Sequence, residues 1–252
     1  MTKSIFAFCI MLFTFSNLTN AQYGGANQEI GIMAGPVFLQ TDFGARNTFE
    51  NYYKNNGVSV GIFYYLSAIQ NSRHLQENFR LRLELSYMAS DLNHYGKWVE
   101  PENTSKFATQ LRAMSASTEA VNVGLQLEYY PFKTDDYNRG TTWSPYISGG
   151  AQLSSYNSKV ESSLGALGST LTTPVKYLDA YKNESNIVAS ITTSLGTRYM
   201  LDDYNALIID ARIQYYFSDW VDGLNPNRNV YTENKANDWS TTLNIGYVYY
   251  FN

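Results

Sequence analysis

From Trp239 to Phe251 the chain alternates with a period of two. Trp239, Thr241, Leu243, Ile245, Tyr247, Tyr249 and Phe251 share one face, while Ser240, Thr242, Asn244 and Gly246 share the other. A helix would bring together residues three and four apart, so this spacing specifies a strand. Its second face is too small and polar to build a dry core, and the greasy face must therefore meet something other than the protein interior. Apolar outside, polar inside, about 9–11 residues long and ending in aromatics is what a lipid-embedded β-barrel strand requires.

The rest of the chain agrees with a membrane destination reached by strands. Residues 1–21 read as a secretory leader, with Lys3, an apolar run from Ile5 to Phe15 and cleavage after Ala21. That run is too short to span a bilayer, and no later stretch approaches the roughly 20 apolar residues a spanning helix needs. The only cysteine, Cys9, lies inside the leader, so the mature chain, residues 22–252, has no thiol for a disulfide or a metal. The leader holds one of the 18 Lys and Arg residues and none of the 22 Asp and Glu, which leaves a mildly acidic protein. Nucleic acid is excluded as a partner by the lack of a basic stripe. The 22 tyrosines suit two interfacial belts, where a ring lies in hydrocarbon and its hydroxyl in the headgroup layer.

Seven further strands are expected, at 29–35, 58–65, 79–87, 119–130, 146–153, 187–199 and 207–217, with Pro36 ending the first. Asp202 to Asn205 forms a tight turn. The links alternate long and short, as in outer-membrane barrels with long external and short periplasmic connections. The expected fold is thus all-β, an eight-stranded antiparallel transmembrane barrel with four long extracellular segments, with ten strands as the alternative. Outward faces carry no charge, whereas the inward faces carry Glu29, Glu84, Glu128 and Asp210 with Arg80, Arg82, Arg198 and Arg212. So narrow a barrel has room inside only for side chains, and eight balanced charges are read as structural ion pairs filling it. Arg80, Arg82 and Arg212 are expected to face Glu84, Glu128 and Asp210. Aromatic belts fall at Tyr64, Phe79, Tyr129, Tyr199, Tyr249 and Phe251 on one side, and at Tyr87, Tyr215, Phe217 and Trp239 on the other.

No catalytic residue, metal ligand, cofactor or phosphate-binding loop is assigned. His94 with Asp91 is a weak acid–histidine pair in a long segment, and His94 is read as a solvated loop histidine; His74 lies in a short link. The long segments are rich in aromatic and apolar residues, including Phe43, Tyr52, Trp98, Phe107, Tyr177, Trp220 and Tyr231. These either prolong the strands and pack on one another, or form a surface for a partner protein or surface glycan, or line a small pocket at the barrel mouth.

Several stretches carry a family likeness: Asn20-Ala-Gln22, Glu29 to Pro36, Leu127 to Phe132, Pro145 to Gly150 and the terminal aromatics. With these the chain resembles small outer-membrane β-barrels of Bacteroidota, of OmpA- or OmpW-like size, and is similar to PorG-like barrels associated with type IX secretion and to a related uncharacterised family. The resemblance implies a non-enzymatic barrel with a structural or partner-binding role, as an accessory part of envelope assembly or secretion. Alternatives are a narrow pore for small hydrophobic molecules and, last, a lipid-modifying enzyme or protease. Expected partners are outer-membrane lipid, the barrel-assembly machinery, for which Tyr249 and Phe251 form the signal ahead of Asn252, and periplasmic or surface envelope proteins.

Overall fold

The computed structural model describes residues 26–46, 48–68, 78–132 and 143–251. The leader with Cys9, His74 and Asn252 lie outside these residues. Eight strands close into one barrel in sequence order: β1 (Ala26–Gln40), β2 (Asn56–Ala68), β3 (Phe79–Asn93), β4 (Met114–Tyr129), β5 (Trp143–Ser162), β6 (Glu184–Met200), β7 (Asn205–Tyr216) and β8 (Trp239–Phe251). Every neighbouring pair is antiparallel, and β8 closes on β1 through registers such as Ile32 opposite Tyr247. The ten-strand alternative is not realised. The residues that could have built further strands lengthen β3 to β6 instead, giving β5 20 residues.

Alternation decides which side chains point where. Ile62, Leu85 and Leu125 stand exposed on the outside while the strand neighbours of each are buried inside, and Leu195 and Ile245 are exposed in the same way. Register then gathers the aromatics into two girdles. At the end holding the 201–204 turn, Phe79 lies 5.1 Å from Tyr129 and Trp143 lies 4.8 Å from Tyr199, centroid to centroid. At the opposite end Trp239 is opposite Tyr215 and Tyr87 opposite Val121. There a short helix, α1 (Phe49–Lys54), adds to the girdle: Tyr52 meets Phe38 at 5.7 Å and Trp239 at 5.5 Å.

Two expectations about the strands are corrected. Pro36 does not end the first strand. It stays in register with Val58, and only the β8 ladder skips from Ala34 to Val37, because a missing N–H removes a bond on one side alone. Nor is the outward face wholly uncharged. Glu119 points outward in β4, as do Asp91, Lys159 and Glu161 on the lengthened strands. All four lie at or beyond the level of Ala89, past the Tyr87 girdle, so the uncharged outer band runs from girdle to girdle and the strands continue above it.

The interior is layered rather than uniformly polar. Met33, Phe63, Tyr65, Tyr146, Ile208 and Val248 form an apolar floor near the turn end. Gly196 allows this, since a Cβ there would fall on the ring of Tyr146. The ionic groups share this level, with Glu84 opposite Phe63 and Arg82 opposite Tyr65, and above them comes a layer of amides and hydroxyls, in which Gln214 donates to Ser190 at 2.9 Å and to Ser154 at 3.1 Å. The top layer is a second apolar cluster that includes Leu39, Met88, Leu92, Tyr156 and Val160 and continues into the long segments through Phe43, Leu111, Tyr177 and Val221.

Candidate functional site

Two places concentrate polar groups that a fold alone does not need: the middle of the barrel and the cap formed by segments 41–55, 94–113, 163–183 and 217–238. In the barrel, all eight charges named from the sequence are buried and join into one path of alternating sign. Arg80 meets Glu29 at 2.9 Å, and Glu29 also binds Arg198. Arg198 reaches Glu128 at 3.1 Å, Glu128 meets Arg82 at 3.1 Å, and Arg82 meets Asp210 at 3.0 Å. Asp210 lies 3.5 Å from Arg212, which closes on Glu84. One partner goes beyond the expected ones: Arg80 of β3 meets Glu29 of β1, two strands away, because a guanidinium reaches beyond its own ladder position.

Neutral groups complete the layer. Tyr146 donates to Asp210 at 2.7 Å, Tyr130 to Glu128 at 2.7 Å and Gln126 to Glu84 at 2.8 Å. The Arg198 guanidinium also lies over the Tyr65 ring at 4.3 Å. Charges removed from water are tolerated when each meets an opposite charge; a few of their atoms, Arg82 Nε and Arg198 Nε among them, make no hydrogen bond among the described residues. The effect is to cross the lumen with held side chains, from the turn-end side of the barrel to its middle.

The cap is built around Arg46 and four buried aspartates. Arg46 binds Asp42 at 2.7 Å and Asp219 at 3.2 Å, with Asp238 at 3.6 Å. Asp222 accepts from the backbone N–H of Asp42 at 2.9 Å and of Leu224 at 2.7 Å, tying the first segment to the fourth. Burial pushes the Asp222 and Asp238 carboxyls well above the usual carboxylate range, and their acidic neighbours push them further. Asp219 is pushed up to about 7, by burial first and then by Asp42. Arg46 is held charged: burial works against it, but Asp42 and Asp238 outweigh that. Sequence reading missed this cluster because its members are scattered from Asp42 to Asp238; only the Asp219-x-x-Asp222 spacing hinted at it.

His94 is not the solvated histidine expected. It is 7% exposed, lies between Phe43 at 4.7 Å and Tyr177 at 5.7 Å, and accepts from the Gly44 N–H through Nδ1 at 2.8 Å. That bond assigns the proton to Nε2, which has no hydrogen-bond partner among the described residues. Gly44 can present its N–H because it takes φ 85°, and a Cβ there would strike Asn51. Burial, then the nearby Lys176, drives the His94 pKa down to about 3. Asp91 lies exposed on the outward face of β3 and forms no pair with it.

Beside His94 a cavity of about 670 Å³ opens under all four segments, within the size range of small-molecule sites. Tyr95 and Trp98 come from the second segment, as does Phe107 on helix α2 (Lys106–Ala113), which Ser105 caps by accepting from Ala108 N at 3.2 Å. Lys176 comes from the third segment, and Tyr231 and Glu233 from the fourth. Among the described residues no group of three or more His, Cys, Asp or Glu side chains is placed to hold a metal ion.

Residues 3–252 match the family described as Domain of unknown function (DUF6089). The chain belongs to the DUF6089 family. Among curated proteins none matches. This DUF6089 member is similar in structure to several solved barrels. A major outer membrane protein from Thermus thermophilus has 15% identity and a TM-score of 0.49, covering 90% of this chain and 100% of that one. Neisserial surface protein A has 13% identity and a TM-score of 0.43, covering 90% and 99%. OprG from Pseudomonas aeruginosa has 12% identity and a TM-score of 0.42, covering 90% and 98%. The architecture of the DUF6089 chain rests on its own strand pairing.

Proposed function

We propose that this chain is a non-conducting outer-membrane β-barrel that carries a folded binding cap at the cell surface and catalyses no reaction. The observation that carries the reading is the unbroken path of ion pairs from Arg80 to Glu84 across the lumen. A route for water or a hydrophobic solute would need to part charges that hold one another and are held in turn by the neutral groups around them. The uncharged outer band between two aromatic girdles supports insertion in lipid, and the resemblance noted from the sequence supports export by a cleaved leader. In this reading the four long segments face outside and Tyr249 and Phe251 serve assembly. A histidine that burial holds neutral gives no base poised near neutral pH, which disfavours a barrel hydrolase.

The cap shows exposed apolar side chains, Trp98 and Val175 among them, and the role that suits them is recognition, as an accessory component of envelope assembly or type IX secretion. The test is affinity purification from gently solubilised membranes, with single-channel recording of the purified protein in planar bilayers. A stoichiometric envelope partner and no conductance are expected. Steady conductance would overturn the reading.

A further inference from the structure

We infer that the cavity beneath the four outer segments binds a neutral sugar residue, stacked on its aromatic wall. The inference rests on the reading of the cap as a binding surface and names what one part of it recognises. Charge narrows the ligand first. Of the cations lining the cavity, Lys176 is paired with Glu233 at 2.9 Å and bonded to Asn234. Its ammonium also lies over the rings of Tyr177 and Tyr231, at 5.4 and 5.2 Å. Arg46 is held by Asp42 and Asp219. Glu233 is the acid partner of Lys176. An anionic or cationic ligand therefore meets charges already matched, and would have to break a pair to make one.

A purely apolar ligand fits no better. It would take the Lys176–Glu233 pair out of water with nothing to replace the hydration of either group. What remains is a neutral molecule with an apolar face and hydroxyls on its edge. The wall supplies flat rings at an open rim, with Trp98 53% and Phe107 39% exposed, and Tyr95 and Tyr231 half-buried beside them. The C–H face of a sugar ring lies on such surfaces. Its hydroxyls need donors and acceptors together, and the cavity presents both: the ammonium of Lys176 and the carboxylate of Glu233.

The test is saturation-transfer NMR on the full mature chain in lipid nanodiscs, with glucose, galactose, mannose, fucose, N-acetylglucosamine and N-acetylgalactosamine as separate probes, and glucuronate and benzyl alcohol as charged and apolar controls. At least one neutral sugar should give saturable transfer that outcompetes both controls. Trp98→Ala and Phe107→Ala, at exposed positions that leave the barrel intact, should each weaken it at least tenfold, whereas Phe49→Ala on the outer face of α1 should leave it unchanged. Transfer to none of the six sugars, tighter binding of either control, or affinity that survives both rim substitutions would overturn the inference. Sugar binding can fail while the barrel stays non-conducting with a partner bound, and conductance can appear while sugar still binds. The two readings therefore fail separately.

Discussion

At the residue scale, the decisive contrast is between neighbours on one strand. Arg82 is fully buried and bridges Glu128 and Asp210, while Leu83 is 38% exposed on the outer face. Arg82→Leu removes the cation shared by two buried carboxylates, leaving Glu128 to Arg198 and Asp210 to the longer contact with Arg212, and should cost about 3–5 kcal/mol. Leu83→Ala loses side-chain contact that lipid refills, and should cost less than about 2 kcal/mol. Urea unfolding of both variants in the same lipid checks the order; a larger loss for Leu83→Ala would exchange inside and outside. Replacing Arg82 with Lys should also be damaging, because one ammonium cannot keep the hydrogen bonds that Arg82 Nη2 makes to Ser148 at 3.4 Å and Ser194 at 3.3 Å while its Nη1 serves two carboxylates.

At the scale of elements, the cap is where pH acts. The folded pKa values of Asp219, Asp222 and Asp238 are raised, so the folded cap holds protons that the unfolded chain releases near the ordinary aspartate range, and stability falls as pH rises from about 4 through about 7. His94 works in the opposite sense. Its folded pKa of about 3 makes stability fall as pH drops from about 6.5 toward 3. Above about pH 6.5 only the aspartates still act, facing Arg46, Lys176 and Arg228 as the nearby cations. Hydrogen-exchange protection in 41–46 and 218–224, corrected for the intrinsic rate, should therefore be greater at pH 6 than at pH 8. Asp238→Asn should flatten that difference and raise protection at pH 8, because the amide keeps an acceptor for Val221 N, now 3.1 Å from Asp238 Oδ2, and removes a charge that burial disfavours. A fall in protection at pH 6 with none at pH 8 would refute this assignment. The closing strand carries a separate prediction. Phe251 stacks edge-on with Tyr249 at 5.5 Å on the outward face, and Phe251→Ala should lower the assembled fraction in membranes without changing the unfolding midpoint of the protein that does assemble.

At the scale of the whole molecule, a closed barrel in lipid should run on a gel at a different apparent mass before and after boiling and should fractionate with the outer membrane; a freely soluble mature chain would sink the proposal. Much of this architecture was legible in the sequence. Alternation from Trp239 to Phe251 specified the outer face of β8, and the same rule identified the eight interior charges, because a period of two leaves no freedom in which side a residue faces once one face must be apolar. The belts followed from strand ends for the same reason. Partner choice followed only in part, since long arginine side chains cross a narrow lumen and choose among acids on several strands; hence Arg80 meets Glu29. Strand ends were misjudged where β3 to β6 run on above the girdle, and Glu119 sits outward there because the lipid stops while the pleat continues. The cap was least legible. His94 owes its burial, tautomer and depressed pKa to Gly44, Phe43 and Tyr177, and the four aspartates meet around Arg46 from opposite ends of the chain. Local sequence thus determined the direction of each strand side chain, a property of the backbone pleat, whereas only closure of the barrel brought four distant segments over one mouth and decided what they bury together.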